Sequence, residues 1–312
     1  MIFVVTSFFI ICIIKVGDSM KDYFGYKDKI CVVTGASSGM GKAVTEMLVD
    51  LGARVYALDL NKCDVSGIEK YIECNLSLKD NIDKAFKEIP DHIDCFFGVA
   101  GLSGAKTDYI TTFNCDFTAN KYITLEYLYE RMSKGGSITY VTSTAGKYWQ
   151  NYMKEQTPVI RALGFEGTVD SIKKIASVAP ASFAYIFAKR CLSQFSCEQA
   201  IELSQKGIRV NNVMPGATDT GMKDEFQNMA GGEENLKASN GLAGRLATSE
   251  EMGYPIVFIG SDMASFISGI DLIVDDTNTS LVTLGRKKDV GKVPATNMFL
   301  LKMAAKMMNK NK

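Results

Sequence analysis

Tyr185 and Lys189 stand four apart in Tyr185-Ile186-Phe187-Ala188-Lys189, the separation that puts two side chains on one face of a helix. A phenol beside an ammonium can serve as a general acid. Its unperturbed pKa is about 10, so bringing it near neutral takes roughly 3 units, or about 4 kcal/mol, of preferential stabilisation of the phenolate. Far upstream, Thr34-Gly35-Ala36-Ser37-Ser38-Gly39-Met40-Gly41 follows the apolar run Ile30-Cys31-Val32-Val33 and precedes the helical pattern Ala43-Val44-Thr45-Glu46-Met47-Leu48-Val49. That order makes a strand, a turn and a helix whose N-terminus and backbone N–H groups face a pyrophosphate, with glycine where a side chain would block the phosphates. Between the two lies Ser143, a hydroxyl at the end of an apolar run. Hydride transfer to a carbonyl builds negative charge on its oxygen, so such a site needs a proton donor and a cation or dipole there. The three stretches together read as a nicotinamide-dependent oxidoreductase.

Each stretch alone is weak. A Tyr and a Lys four apart arise easily among 13 tyrosines and are more often a helix surface feature, and a lone Pro-Gly is usually a turn. The flanks and the order carry the weight. Ser143 lies in Ser137-Ile138-Thr139-Tyr140-Val141-Thr142-Ser143-Thr144-Ala145-Gly146, and the Tyr185 stretch runs into Cys191-Leu192-Ser193-Gln194-Phe195. Gly207-Ile208-Arg209-Val210-Asn211-Asn212-Val213-Met214 leads into Pro215-Gly216-Ala217-Thr218-Asp219-Thr220. The glycine spacing is Gly-x-x-x-Gly-x-Gly rather than Gly-x-Gly-x-x-Gly. With these motifs the chain resembles the short-chain dehydrogenase/reductase family from about Tyr26 to about Asp276. Ala100-Gly101-Leu102-Ser103-Gly104 and the long segment between Ser143 and Tyr185 are most similar to its bacterial 3α-hydroxysteroid dehydrogenase/carbonyl reductase branch.

The resemblance implies roles for individual residues. Tyr185 would donate the proton, Lys189 and the nicotinamide cation would stabilise its phenolate, and Ser143 would hydrogen-bond the substrate oxygen. Lys189 would also hold the nicotinamide ribose. Where the family pattern has Asn in the helix before Tyr122, this chain has Asp116, with Asn114 two positions earlier. A carboxylate there could hold the water of a proton relay, lower activity or alter the pH optimum. Asp275-Asp276-Thr277 likewise departs from the family's Asp-Gly-Gly.

For the cofactor, Gly35, Ser37, Ser38, Gly39, Met40 and Gly41 form the expected pyrophosphate turn. Asp59, at the end of the second strand-like run, can accept from the adenosine ribose hydroxyls and repel a 2′-phosphate, so the expected cofactor is NAD(H). Lys62 is the competing signal. Asn75 and Leu76 resemble the adenine-contacting position, with the Asn75 carbonyl available to the exocyclic amine. Ala100 and Gly101 would pass close to a ribose, while Pro215, Gly216, Thr218 and Thr220 resemble the nicotinamide-contacting loop.

These residues need a scaffold, and the apolar runs supply one. Strand-like stretches at 30–34, 54–59, 93–100, 137–142, 208–213 and 270–274 alternate with helical patterns. That alternation implies one α/β domain, a single Rossmann-like doubly wound parallel sheet with helices on both faces. We place it at residues 20–285. Residues 147–181 stand outside the alternation, with apolar spacing that suits one or two short amphipathic helices. This insertion is expected to overhang the site as a mobile cover. Tyr148, Trp149, Tyr152 and Phe165 are its candidate substrate contacts, against the plainer alternative that each packs the insertion's own core.

Composition bounds the rest. With 312 residues, 46% hydrophobic, the chain can bury one large core, and a net charge of +0 argues against nucleic acid as a partner. The eight cysteines are scattered without a C-x-x-C pair and read as small apolar residues in a reducing, cytoplasmic compartment. A single histidine, His92, argues against a Ser-His-Asp hydrolase or a His-ligated zinc site, and no metal is expected.

The apolar stretch within residues 1–19 is shorter than the roughly 18 residues that span a bilayer, and no Lys or Arg precedes it. It reads as an upstream extension before a start at Met20, a membrane anchor or a weak signal peptide. Residues 286–312 form a basic tail, read as an amphipathic helix touching a membrane or partner, or as a terminal helix on its own subunit.

The expected activity is NAD(H)-dependent interconversion of a secondary alcohol and a ketone on a small hydrophobic substrate, with a hydroxysteroid or bile acid as the specific expectation. Alternatives are a dehydrogenase for a non-steroid alcohol and a catalytically degenerate NAD-binding regulatory protein. The resemblance implies a homodimer or homotetramer.

Overall fold

The computed structural model describes residues 22–288, so the extension at 1–19, the start at Met20 and the tail beyond 288 lie outside the described residues. Seven strands form one parallel sheet in the order β3-β2-β1-β4-β5-β6-β7. They are β1 (Ile30–Thr34), β2 (Arg54–Asp59), β3 (Lys70–Glu73), β4 (Cys95–Gly98), β5 (Ser137–Val141), β6 (Arg209–Pro215) and β7 (Asp271–Val274). Side chains alternate across the sheet. Val32, Tyr56, Leu58, Phe96, Ile138 and Tyr140 enter one core, and Cys31, Val33, Val55, Ala57, Cys95 and Phe97 enter the other. The helices Gly39–Asp50 and Ser249–Gly260 cover the second face, while Ala181–Ser204 and a helical run through 109–131 cover the first.

Two strand details differ from the sequence reading. The 93–100 run yields only Cys95–Gly98, because Val99 turns away to meet Thr34. β3 goes unread in sequence: of its four residues only Ile72 is buried, so no alternation marks it.

The strand order reverses between β1 and β4, the place where doubly wound folds bind ligands. Thr34 fixes that point. Its hydroxyl accepts from the N–H groups of Val99 at 3.1 Å and Ala100 at 3.3 Å. The helical run through 109–131 contains two π-helical segments, Asn114–Thr118 and Thr124–Leu128, of the kind that redirects side chains at functional sites.

Residues 147–181 fold as the helices Met153–Ile160 and Gly164–Ala176, which pack onto the domain. Phe165 is buried edge-on against Tyr122, with ring centroids 5.8 Å apart, and Trp149 donates to Asp271 at 2.8 Å. Tyr152 lies under the Arg190 guanidinium at 4.1 Å. Lys121, 2% exposed, donates to the carbonyls of Val159 and Ala162 and to the Thr168 hydroxyl, so its ammonium joins both insertion helices to the core.

Asp276 and Thr277 adopt φ of 43° and 67°, the left-handed region that favours glycine. Side chains therefore stand where the backbone favours glycine, at about 1–2 kcal/mol each. Thr277→Gly is expected to raise stability by about 1 kcal/mol, the relief of strain less the greater chain entropy of glycine. Urea denaturation of the two proteins checks this, and a midpoint shift towards lower urea contradicts it.

Candidate active site

Local sequence builds the first half of the site at the end of β1. The helix Gly39–Asp50 starts at Ser38, whose side chain makes no capping bond, and no acidic residue sits in its first turn. Its first-turn N–H groups are therefore open to an anion. They border a cleft of about 360 Å³ that also meets Gly35, Asp59, Asn75, Leu76, Ala100, Gly101 and Thr220. Glycine is needed here for packing as well as for ligand approach. A Cβ on Gly41 would lie 2.0 Å from the Gly35 carbonyl oxygen, and one on Gly35, with φ of 70°, would lie 2.8 Å from Ala100 Cα.

The Asp59 carboxylate accepts from Ser37 N–H at 3.0 Å and Asn61 N–H at 2.9 Å, which points it into the cleft with lone pairs to spare. Ser37 does not line the cleft. Its hydroxyl donates to the Asn61 carbonyl at 2.6 Å, so it holds the acid in place. The Asn75 carbonyl, expected to be free for an amine, already accepts from Ser77 N–H at 3.0 Å and the Ser77 hydroxyl at 2.7 Å. Lys62 is exposed and away from the cleft lining. The open helix terminus and the pre-set carboxylate fit the two ends of a dinucleotide's adenosine half.

The second half gathers at the ends of β5 and β6. Ser143 caps the turn Thr144–Gly146 by accepting from Ala145 N–H at 3.1 Å, and its hydroxyl lies near the Tyr185 phenol. Both line a cavity of about 200 Å³ with Pro215, Gly216, Thr218 and Thr220. Burial pushes the Tyr185 phenol up, Ser143 pulls it down and the Asp116 charge pushes it up, so the tyrosine stands protonated. Lys189 lies beneath, 2% exposed, with Nζ 5.5 Å from the Tyr185 ring and donating to the Val141 carbonyl at 3.0 Å.

Asp116 is fully buried in the first π segment beside Lys189. Its Oδ1 accepts from Leu102 N–H at 2.8 Å, while Oδ2 has no hydrogen-bond partner among the described residues. A Cβ on Gly101 would touch both Asp116 Oδ1, at 3.2 Å, and Lys189 Nζ, at 3.3 Å. Gly98, at the end of β4, has no room for a side chain: a Cβ there would lie 2.4 Å from Asn120 Oδ1.

The cover over the 200 Å³ cavity comes from the chain after β6, and the insertion at 147–181 does not line it. Phe226 and Leu236 line it, with the Phe226 ring 5.4 Å from that of Tyr185. Glu225 accepts from Ser103 and pairs with Lys106 at 2.8 Å, tying the cover to the loop after β4. Sequence reasoning missed these residues. It also missed Asn240, whose amide clamps the main chain of Ala217 at 2.7 and 2.8 Å and so shapes the Pro215-Gly216 loop. A buried Asn among polar neighbours gives no periodic signal.

Two family models match in succession, short chain dehydrogenase over residues 29–154 and Enoyl-(Acyl carrier protein) reductase over residues 150–276. The chain is 30% identical over 249 residues to a coniferyl-alcohol dehydrogenase of Pseudomonas sp. (strain HR199 / DSM 7063), covering 80% of this chain and 95% of that one. It is 25% identical over 270 residues to a cyclohexanol dehydrogenase of Acinetobacter sp. (strain SE19), covering 82% and 96%. In fold it matches the 3-alpha-hydroxysteroid dehydrogenase from Pseudomonas sp. B-0831 complexed with NADH, with TM-score 0.67 and 19% identity, covering 83% of this chain and 100% of that one. The chain belongs to the short-chain dehydrogenase/reductase family and is an oxidoreductase of NAD(P)-using type acting on alcohols.

Burial lifts the Asp116 carboxyl from an ordinary 3.8 to about 6, against the pull of Lys189 and the Leu102 N–H. A carboxyl raised on folding favours the folded state below pH 4 and loses that advantage as pH rises through 6. The difference is about 3 kcal/mol. Asp116→Asn should therefore gain stability over the parent progressively between pH 4 and pH 6 and hold the gain above it. Urea melts across this range check the sign, and a gain that shrinks with pH contradicts it.

Proposed function

We propose that the protein interconverts a secondary alcohol and a ketone on a small apolar ring with NAD(H). The observation that carries this reading is that Ser143 and Tyr185 open into one 200 Å³ cavity walled by Met40, Phe226 and Leu236. Sites that bury drug-sized ligands usually measure about 300–1,000 Å³, and this cavity also includes the Pro215–Thr220 loop expected to meet the nicotinamide, so the space left favours one ring over the four of a hydroxysteroid or bile acid. Cyclohexanol, which names one similar dehydrogenase, is a secondary alcohol on a single ring and supports this class; coniferyl alcohol, which names another, is a primary alcohol and supports only the single ring.

In reduction, Ser143 holds the carbonyl oxygen and Tyr185 gives it a proton; in oxidation the phenolate takes that proton from the alcohol. The ammonium of Lys189 favours the phenolate in both directions. The first-turn N–H groups from Gly39 onward hold the pyrophosphate, and Asp59 the adenosine ribose hydroxyls. Bound NAD(H) supplies or accepts the hydride. The Asp59 charge disfavours a 2′-phosphate, which supports NAD over NADP. A reducing, cytoplasmic setting is supported by seven free thiols among the described residues. A homodimer or homotetramer is supported by three exposed apolar side chains at one edge of the sheet: Ile273 on the edge strand β7, Ile270 just before it, and Phe266.

Tyr185→Phe should lower turnover at least about 100-fold while NADH binding persists. Wild-type protein that binds NADH yet turns over no alcohol or ketone would support the degenerate reading instead. In a panel of cyclic alcohols and hydroxysteroids, kcat/KM should be highest for single-ring substrates; a preference for steroids would overturn the ring-size argument. Asp59→Asn, which keeps an acceptor for Ser37, should cut the NAD over NADP preference in kcat/KM by about tenfold. An unmoved ratio would place the selectivity elsewhere.

A further inference from the structure

We propose that Asp116 sets the pH at which Tyr185 changes from proton donor to proton acceptor, keeping it a donor to higher pH than a neutral residue would. This deepens the reading above and rests on Tyr185 as the group that exchanges the proton. Asp116 and Lys189 abut the same glycine, Gly101, from two different elements, so the ammonium under Tyr185 has a carboxyl group beside it inside the protein. The carboxyl is placed by one backbone bond, from Leu102, and Oδ2 is left to interact by charge alone among the described residues.

The titratable groups acting with Asp116 are Lys189 and Tyr185 from the helix Ala181–Ser204 and the Cys115 thiol beside it in its own run. Burial pushes the Cys115 thiol up, which leaves it neutral. The balance is therefore between one cation and one anion. A cation 5.5 Å from the Tyr185 ring, the Lys189 ammonium, favours its phenolate, and the Asp116 carboxylate opposes it. Asp116 acquires its charge as pH rises through about 6, so near neutral pH it offsets part of what Lys189 supplies.

In reduction the carbonyl carbon receives a hydride from the reduced nicotinamide and the oxygen receives the Tyr185 proton; the phenolate then regains a proton from water. Oxidation runs the same exchange backwards and needs the phenolate at the start. A charge that disfavours the phenolate extends the pH range of reduction and delays the onset of oxidation. Asp116 is a positioning residue in this scheme, acting through Tyr185 and Lys189 without touching substrate.

The test is Asp116→Asn, whose amide oxygen can still accept from Leu102 N–H. Its pH–rate limbs for alcohol oxidation and ketone reduction should both move down by about one pH unit, the size expected for one nearby charge. A second readout needs neither cofactor nor turnover. Phenolate absorbance is titrated in each protein against its Tyr185→Phe counterpart, and the Tyr185 midpoint should fall by the same amount. If Asp116→Asn fails to fold, Asp116→Ala takes its place in that titration. Limbs and midpoint that stay in place overturn the proposal. Retained turnover in Tyr185→Phe would instead overturn the reading beneath it, so the two failures are separable.

Discussion

The site depends on how closely two loops can approach. At the switch point between β1 and β4, the Gly35 backbone rests on Ala100 and Gly41 rests on the Gly35 carbonyl, with no room for a Cβ at either glycine. The Thr34 hydroxyl closes the gap by taking the N–H groups of Val99 and Ala100. That contact aims the helix from Gly39 at the cleft. It also fixes the loop after β4, and the same loop delivers the Leu102 N–H to Asp116 and places Gly101 against Lys189. A shift of the turn would thus reach both halves of the site.

Buried cations are handled in one way at two places. Lys121 and Lys189 are each 2% exposed, and each turns its ammonium to main-chain carbonyls. Neutral acceptors satisfy the donors but leave the charge uncancelled, and burial accordingly pulls Lys121 down to about 8. Lys121 spends that charge on holding two insertion helices together. Lys189 has a carboxyl and a phenol within its field, and there the same arrangement becomes chemistry.

Much of the scaffold was legible because parallel strands buried on both faces read as unbroken apolar runs, as in Ile30–Thr34 and Arg54–Asp59. β3 was not, because Lys70, Tyr71 and Glu73 stay at the edge. Most of the glycine turn, with Asp59, Ser143 and Tyr185, could be placed at the two cavities from spacing and flanks. Roles decided by hydrogen-bond partners could not. Ser37 is engaged with Asn61 and Asn75 with Ser77, and neither pairing leaves a mark in the sequence. The insertion at 147–181 misled for a related reason. Its apolar periodicity records packing onto the domain, as Phe165 and Ile172 show. The cover proper, Lys223–Ala230, has no buried residue, so its pattern reads as that of an ordinary surface helix.

That last property reaches beyond a single substrate. A cover helix that contributes nothing to either core is held by Glu225 at one side and Phe226 at the other, so its sequence is constrained at few positions. A change at Phe226 leaves both cores untouched while reshaping the wall opposite Tyr185. Lineages carrying this architecture can diversify in what they accept through one exposed segment, with the proton-transfer machinery inherited unchanged.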